Sequence, residues 1–151
     1  KGKTHVLHII RELLSFEPSS TGTDIAQALQ YFSNAQKRHC TAFLISDFIG
    51  VEGLEKPLMI ASNRHEVNAI QIYDRRETVL PNVGLVKFHD AETGQDLWVD
   101  TAVASVREQY ASEWKQNQSR IEQLCTKTGV KRMSVRTDED YVKALMKLFK
   151  S

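Results

Sequence analysis

One residue of this sequence, Asp47, has a type and a position that could support binding chemistry. Asp47 ends the apolar run TAFLISD, which is typical of a buried parallel strand. Because α/β proteins place their sites at the carboxyl ends of such strands, Asp47 is a candidate binding residue. The alternative is that its carboxylate caps the turn that follows. Thr23 directly precedes Asp24, and either residue can cap a helix that begins there.

Other groups of polar residues favour structural roles. Four residues superficially resemble a calcium loop: Asp90, Glu92, Gly94 and Asp96. They lack the glycine and the distant glutamate of an EF-hand, so we interpret them as a hairpin turn. His5 and His8 share a helical face, but no carboxylate or cysteine is arranged to complete a metal site. For Tyr110, Trp98 and Trp114 we favour packing over a ligand platform.

Composition excludes several classes of function. The chain has 20 Lys and Arg against 19 Asp and Glu, so it lacks the basic stripe that nucleic acid requires. We also expect no membrane segment, because no apolar run approaches about 20 residues. Nucleophile-elbow, P-loop and dinucleotide motifs are absent, which favours a binding module over an enzyme. Cys40 and Cys125 fit no metal spacing and are either free thiols or a bridge; free thiols would suit the cytoplasm, which we favour.

The spacing of apolar residues predicts the elements that position these groups. Helical spacing indicates helices over residues 4–15, 24–38, 54–64, 102–127 and 140–148. Continuous apolar runs indicate strands at 41–47, 67–73 and 133–135, the first two of them buried and parallel. Two alternating runs, 83–89 and 95–100, flank the sequence DAETG and predict a β-hairpin that forms an edge ribbon.

Individual residues predict where these elements begin and end. Pro18, Ser19 and Ser20 break the first helix, and Gly129 ends the long one. Pro57 fits only in the first turn of its helix. Thr137 and Asp140 resemble a capping box for the last helix. Since helices alternate with strands, the sequence predicts one α/β domain over residues 1–151. We expect this domain to have a doubly wound (Rossmann-like), mostly parallel sheet with flanking helices and a β-hairpin.

Four stretches carry a resemblance to one family: STGTDIAQALQYF at 20–32, TAFLISDF at 41–48, YDRRETVLPNVGLVKFHDAETG at 73–94, and VDTA at 99–102 paired with VRTDEDYVKAL at 135–145. Together they resemble the bacterial family called domain of unknown function 58, whose members have a von Willebrand factor A-like fold. The resemblance implies that this chain is the carboxyl-terminal portion of such a domain, with a partial doubly wound sheet that lacks its first strands. The strand at 41–47 would then be an open edge, and we expect self-association through it.

The resemblance also implies a metal site. In these domains a divalent ion is held by an Asp-x-Ser-x-Ser loop, a threonine and an aspartate, and such oxygen ligands suit Mg²⁺. Thr23 matches the family's threonine and Asp47 its aspartate, but no Asp-x-Ser-x-Ser sequence occurs in this chain. We therefore expect Mg²⁺ only in a longer protein and negligible affinity in this chain alone.

Two functions remain open at this point. The resemblance implies a non-enzymatic protein-binding module that acts with a MoxR-type AAA+ ATPase in the chaperone-like maturation of complexes. The alternative is a receiver-like signalling domain in which Asp47 accepts a phosphoryl group. Against it, the strand at 67–73 leads into Asp74, Arg75 and Arg76 rather than into a lysine.

Overall fold

The predicted α/β class is confirmed by the computed structural model, which describes residues 2–17, 22–90 and 93–148. Over these residues the elements are, in order, α1 (Lys3–Ser15), α2 (Ile25–Ala35), β1 (Thr41–Ser46), α3 (Glu55–Ser62), β2 (Glu66–Tyr73), α4 (Arg75–Thr78), β3 (Leu85–His89), β4 (Asp96–Asp100), α5 (Ala104–Thr128), β5 (Lys131–Arg136) and α6 (Tyr141–Leu148). Helices connect the parallel strands, as parallel pairing requires.

The main sheet has the order β1-β2-β5, and all of its pairing is parallel. The middle strand, β2, is buried from Val67 through Gln71, as expected for a strand covered on both faces. Within the described chain β1 pairs with β2 alone, so it lies at the edge. The prediction that 41–47 is a buried strand is confirmed as to its parallel pairing but wrong as to burial, because only Ala42 and Leu44 pack against the core while Ile45 is 59% exposed.

The core lies between one face of the sheet and the helices α2, α3 and α5. Its buried side chains are Ile25, Leu29, Phe48, Leu54, Leu58, Ala61, Val67, Ala69, Ile121, Cys125 and Val130. Pro57 occupies the first turn of α3, as predicted, where a backbone N–H has no helical acceptor. On the other face, α6 packs Ala144 and Leu145 against a smaller cluster that contains Ile70 and Val135.

The end of the long helix α5 follows from one glycine. Gly129 has a φ of 68°, in the left-handed region, and the N–H of Val130 donates to the carbonyl of Cys125 at 3.0 Å. This arrangement satisfies carbonyls that the last turn would leave unpaired. The predicted stop at Gly129 is confirmed. The predicted helix over 24–38, in contrast, already ends at Ala35.

The β-hairpin is confirmed, but it is a separate two-stranded sheet and not an edge ribbon of the main sheet. Thr101 anchors its base: the buried hydroxyl donates to the carbonyl of Gly84 at 2.7 Å and accepts from the N–H of Val83 at 3.0 Å. In the turn, Thr93 Oγ1 donates to Asp90 Oδ2 at 2.6 Å, which supports the hairpin-turn interpretation. Glu92 lies outside the described residues.

One packing prediction and one helix-capping prediction are wrong. Trp98 is 61% exposed on the hairpin, because the hairpin stands apart from the main sheet and only one of its faces approaches α5. Thr137 does not cap the start of α6, because its hydroxyl donates to Asp74, the residue that follows β2. Asp140 instead accepts the N–H of Val142 at 3.0 Å. The capping box therefore reduces to Asp140 alone.

Helix α1 forms where its apolar spacing predicts it. None of its residues is buried against the described part of the chain, and Leu13 and Leu14 are 74% and 84% exposed. The predicted break at Pro18, Ser19 and Ser20 lies outside the described residues.

We expect Leu58→Ala to lower the free energy of unfolding by about 2–5 kcal/mol, because it leaves a cavity beneath a fully buried side chain. Urea denaturation followed by circular dichroism measures the change. Ile60→Ala, on the same helix at a position that is 43% exposed, is the matched control and should cost about 1 kcal/mol or less. Equal losses in the two variants would contradict the core assignment.

Candidate binding site at the carboxyl edge of the sheet

Parallel pairing brings the carboxyl ends of three strands to one end of the sheet, which we call the carboxyl edge. It contains Asp47, Asp74 and Thr137, the residues that follow β1, β2 and β5. The ring of Phe32, near the carboxyl end of α2, lies 4.8 Å from that of His65, which precedes β2 at the opposite end. The amino end of α2, with Thr23 beside it, is therefore directed toward the carboxyl edge.

Asp47 is exposed and half of its carboxylate is engaged. Its Oδ1 accepts the N–H of Ile49 at 3.1 Å and the hydroxyl of Ser46 at 3.3 Å. Its Oδ2 has no hydrogen-bond donor among the described residues. Oδ1 therefore caps the turn, as in the alternative interpretation, while Oδ2 is available to a ligand.

The turn after β1 owes its shape to Phe48. This residue has a φ of 56°, uncommon for a side chain with a Cβ, and its ring is fully buried. Its N–H bonds to the hydroxyl of Ser46 at 3.0 Å, and its carbonyl accepts from Asn117 of α5 at 3.3 Å. Burial of the ring and these two bonds hold the strained backbone, so Asp47 is presented on a fixed turn.

A buried polar network beneath this turn was not predicted from the sequence. Gln71 is fully buried in β2, and its amide donates to the carbonyl of Asp47 at 3.2 Å. Its Oε1 accepts from Arg132 at 2.6 Å and from Ser134 at 3.2 Å, both on β5. Arg132 also bonds to the side-chain oxygen of Gln118 on α5. The only signal in the sequence was a glutamine inside the apolar run VNAIQIY.

Thr23 is exposed and does not cap α2. Asp24 is the N-cap, and its Oδ1 accepts the N–H of Gln27 at 2.8 Å. The prediction that left Thr23 or Asp24 as the cap is thus decided for Asp24, since its carboxylate lies within reach of the free amide. The hydroxyl of Thr23 bonds to no described residue. Its role as a metal ligand stays a prediction.

Asp74 differs from Asp47 in having both oxygens engaged. Its Oδ1 accepts the N–H of Arg76 at 2.8 Å, and its Oδ2 accepts the hydroxyl of Thr137 at 2.9 Å. The first bond, and then the second, holds the pKa of Asp74 below its usual value, because both favour the charged form. The carboxylate of Glu77 accepts a hydrogen bond from the N–H of Asp74 at 2.8 Å. Asp74 therefore joins β2 to β5.

Histidines and cysteines do not form a metal site in the described residues. No group of three or more His, Cys, Asp or Glu side chains there could hold an ion. His5 and His8 are exposed on α1. Cys40 and Cys125 are both free, and the thiol of Cys40 lies 3.6 Å from His65 Nδ1, at the end of the sheet opposite the carboxyl edge. Burial raises the pKa of the Cys125 thiol.

The fold and this edge define an α/β domain that presents an exposed carboxylate at the end of a parallel strand. Residues 1–120 match the family described as Protein of unknown function DUF58, and the chain belongs to that family. The match ends within α5, so β5 and α6 lie beyond it.

The similar curated proteins are mycobacterial and are described as uncharacterized. One from Mycobacterium avium is 30% identical over 136 residues, which cover 89% of this chain and 79% of the relative. Relatives from Mycobacterium bovis and Mycobacterium tuberculosis are each 29% identical over 154 residues, which cover 99% of this chain. The chain spans 48% of the length of those two relatives. No solved structure matches it.

Among the described helices, none is long and apolar enough to cross a membrane.

Proposed function

We propose that this chain is a non-enzymatic, von Willebrand factor A-like module that binds a protein partner at the carboxyl edge. The observation that carries this proposal is Asp47, whose exposed carboxylate keeps one oxygen available on a turn fixed by Phe48 and Gln71. A rigid acidic group on a scaffold strand suits recognition of a partner, because little order has to be gained on binding.

The arrangement of side chains favours binding over catalysis. At the carboxyl edge, no described histidine or cysteine lies in contact with Asp47 or Asp74. The thiol and imidazole of Cys40 and His65 form a pair at the other end of the sheet, where His65 is only 3% exposed. Two free thiols also suit a reducing compartment, so we infer a cytoplasmic location.

The partner class that family resemblance implies is a MoxR-type AAA+ ATPase. In this proposal the module takes part in the chaperone-like maturation of complexes, and the ATPase contacts the carboxyl edge. The receiver-like alternative, with Asp47 as phosphoacceptor, has less support. Strand β2 leads into Asp74, whose two oxygens are engaged by Arg76 and Thr137, and no lysine follows it.

We expect Asp47→Asn to abolish capture of a MoxR-type ATPase by a version of the protein extended at its amino terminus. Asparagine keeps an oxygen for the N–H of Ile49 and removes only the charge. Asp100→Asn is the matched control, because Asp100 accepts the N–H of Ala102 with the same spacing at the end of β4. Affinity chromatography with ATP present measures capture. Retained capture by the Asp47→Asn protein would overturn the proposal.

The residues of this chain do not by themselves fit a magnesium ion. Thr23 and Asp47 offer a hydroxyl and one carboxylate oxygen, and two such groups compete poorly with water for Mg²⁺, which dehydrates reluctantly. Family resemblance assigns the remaining protein ligands to an Asp-x-Ser-x-Ser loop that this sequence lacks. We therefore propose that Mg²⁺ binds only where such a loop is present.

For the chain alone, we expect calorimetric titration with Mg²⁺ or Mn²⁺ to give no binding heat. A version extended to include an Asp-x-Ser-x-Ser loop should bind, and Thr23→Ala or Asp47→Asn should remove that binding. Thr126→Ala, at an exposed position on α5, serves as the control for loss of a threonine hydroxyl. Binding by the chain alone, or binding in the extended protein that survives both variants, would contradict the split site.

We also propose that this chain self-associates through the open edge of β1. In the described sheet β1 is an edge strand, and exposed Ile45 (59%) favours pairing with a second copy. Sedimentation velocity should show an average mass that rises with concentration, and Ile45→Lys should restore the monomer because a charge at the edge opposes pairing. Leu14→Lys, on exposed α1, tests whether any added lysine has the same effect. A strictly monomeric profile at high concentration would contradict this proposal.

A further inference from the structure

A cleft runs along α5 beside the carboxyl edge, and we call it the α5 cleft. One half, about 360 Å³, is lined by Ile49, Glu77, Tyr110, Glu113, Trp114 and Asn117. The other half, about 310 Å³, lies between α5 and the hairpin and shares Tyr110 and Glu113 with the first. Each half has the volume of a large side chain with room for its backbone. Ile49 connects the cleft to Asp47, whose carboxylate accepts its N–H.

The first half of the cleft combines aromatic rings with carboxylates. The ring of Trp114 packs on Tyr73 of β2 with centroids 5.2 Å apart, which fixes its orientation. Tyr110 is held by a bond from its hydroxyl to the carbonyl of Arg76 at 3.4 Å. The faces of such rings attract cations, and Arg guanidinium groups stack on them more often than Lys ammonium groups do.

Within the described chain, the carboxylates of this half have no cationic partner. Neither Glu77 nor Glu113 forms an ion pair with any described residue. Their hydrogen bonds are to neutral donors, the N–H of Asp74 and the amide of Gln109. Burial, and to a smaller extent the negative charge of Glu77, raises the pKa of Tyr110. A negative, partly enclosed site therefore lies open to a positive ligand.

The chemistry of the site favours an organic cation over a metal ion. Only two carboxylates line it, and no group of three or more metal-binding side chains occurs among the described residues. Aromatic rings supply no ligand to a hard divalent ion, which requires oxygen ligands. A guanidinium uses both features, since its planar face stacks on rings while its N–H groups bond to carboxylates.

The second half of the cleft is mostly apolar away from the residues it shares with the first half. Leu80 is buried at its floor, and Phe88 and Val99 of the hairpin face Val106 of α5. Phe88 is 39% exposed and Leu97 is 65% exposed, so apolar surface remains open to an incoming side chain. A ligand that spans both halves would present one apolar group beside one positive group.

We infer that the α5 cleft binds a segment of the partner protein in which an arginine lies next to an apolar residue. The arginine occupies the half with Trp114 and Glu113, and the apolar residue occupies the half with Val106. This inference rests on the proposed function, because it names the chemistry of a protein that meets the carboxyl edge. Charge complementarity selects the arginine, since Glu77 and Glu113 are unpaired with cations in the described chain.

Nuclear magnetic resonance of the ¹⁵N-labelled chain tests this inference with N-acetyl-leucyl-arginine amide as the probe. The two tryptophans give separate indole N–H signals. Trp114 lines the cleft, whereas Trp98 pairs with Lys87 on the hairpin face away from α5 and serves as the internal reference. We expect a saturable shift of the Trp114 signal, with that of Trp98 unmoved.

Two comparisons make the test specific. The citrulline analogue of the probe has the same shape without the charge, and its affinity should be lower by about two- to fivefold. Glu113→Gln should weaken binding of the arginine probe by a similar factor, whereas Glu108→Gln, an exposed position on the same helix outside the cleft, should not. Equal affinity for both probes, or equal effects of the two variants, would overturn the inference.

The readout also separates this inference from the proposed function. It uses a small probe and this chain alone, so its result does not depend on capture of the ATPase. Capture that is lost in Asp47→Asn, combined with no shift at Trp114, would overturn the cleft assignment and leave the carboxyl edge in place. A saturable, charge-dependent shift at Trp114 supports the cleft assignment whatever the capture experiment shows.

Discussion

The carboxyl edge depends on the hydrogen bonds made by the buried side-chain amide of Gln71. An amide with no access to water must find partners inside the protein, because an unpaired donor or acceptor costs about 1–3 kcal/mol. Gln71 finds them on both neighbours of β2: the carbonyl of Asp47 after β1, and Arg132 and Ser134 on β5. One side chain thus links all three strands of the main sheet.

Hydrogen bonds at the carboxyl edge decide which aspartate carboxylate is available to a ligand. The turn after β1 is held from below by Gln71 and from the side by Asn117, and buried Phe48 keeps a positive φ. Asp47 therefore stands on a fixed turn with one oxygen available. Asp74, at the end of the next strand, uses both of its oxygens within the fold. Two aspartates in equivalent positions have different roles because only the carboxylate of Asp74 bonds to a residue beyond the end of the neighbouring strand, Thr137.

Local signals were sufficient for most of the fold. Gly129 ends α5 and Pro57 lies in the first turn of α3, as expected. Glycine adopts the left-handed conformation without the penalty of a Cβ, whereas proline fixes its own φ and has no N–H. Alternating runs likewise predicted the hairpin. Positions that depend on distant partners were predicted less well. Thr137 was expected to cap α6, and it bonds instead to Asp74, 63 residues earlier in the chain.

The sequence by itself determined the class of the fold, the bounds of most elements and the place of Asp47 at the end of a strand, since these follow from the spacing of apolar residues and from backbone restrictions. Only the tertiary structure decided that Ile45 of β1 is exposed, that Gln71 and Arg132 form a buried network and that Trp98 faces outward. Burial and polar pairing depend on which elements meet, and residues far apart in the chain carry no local signal of that contact.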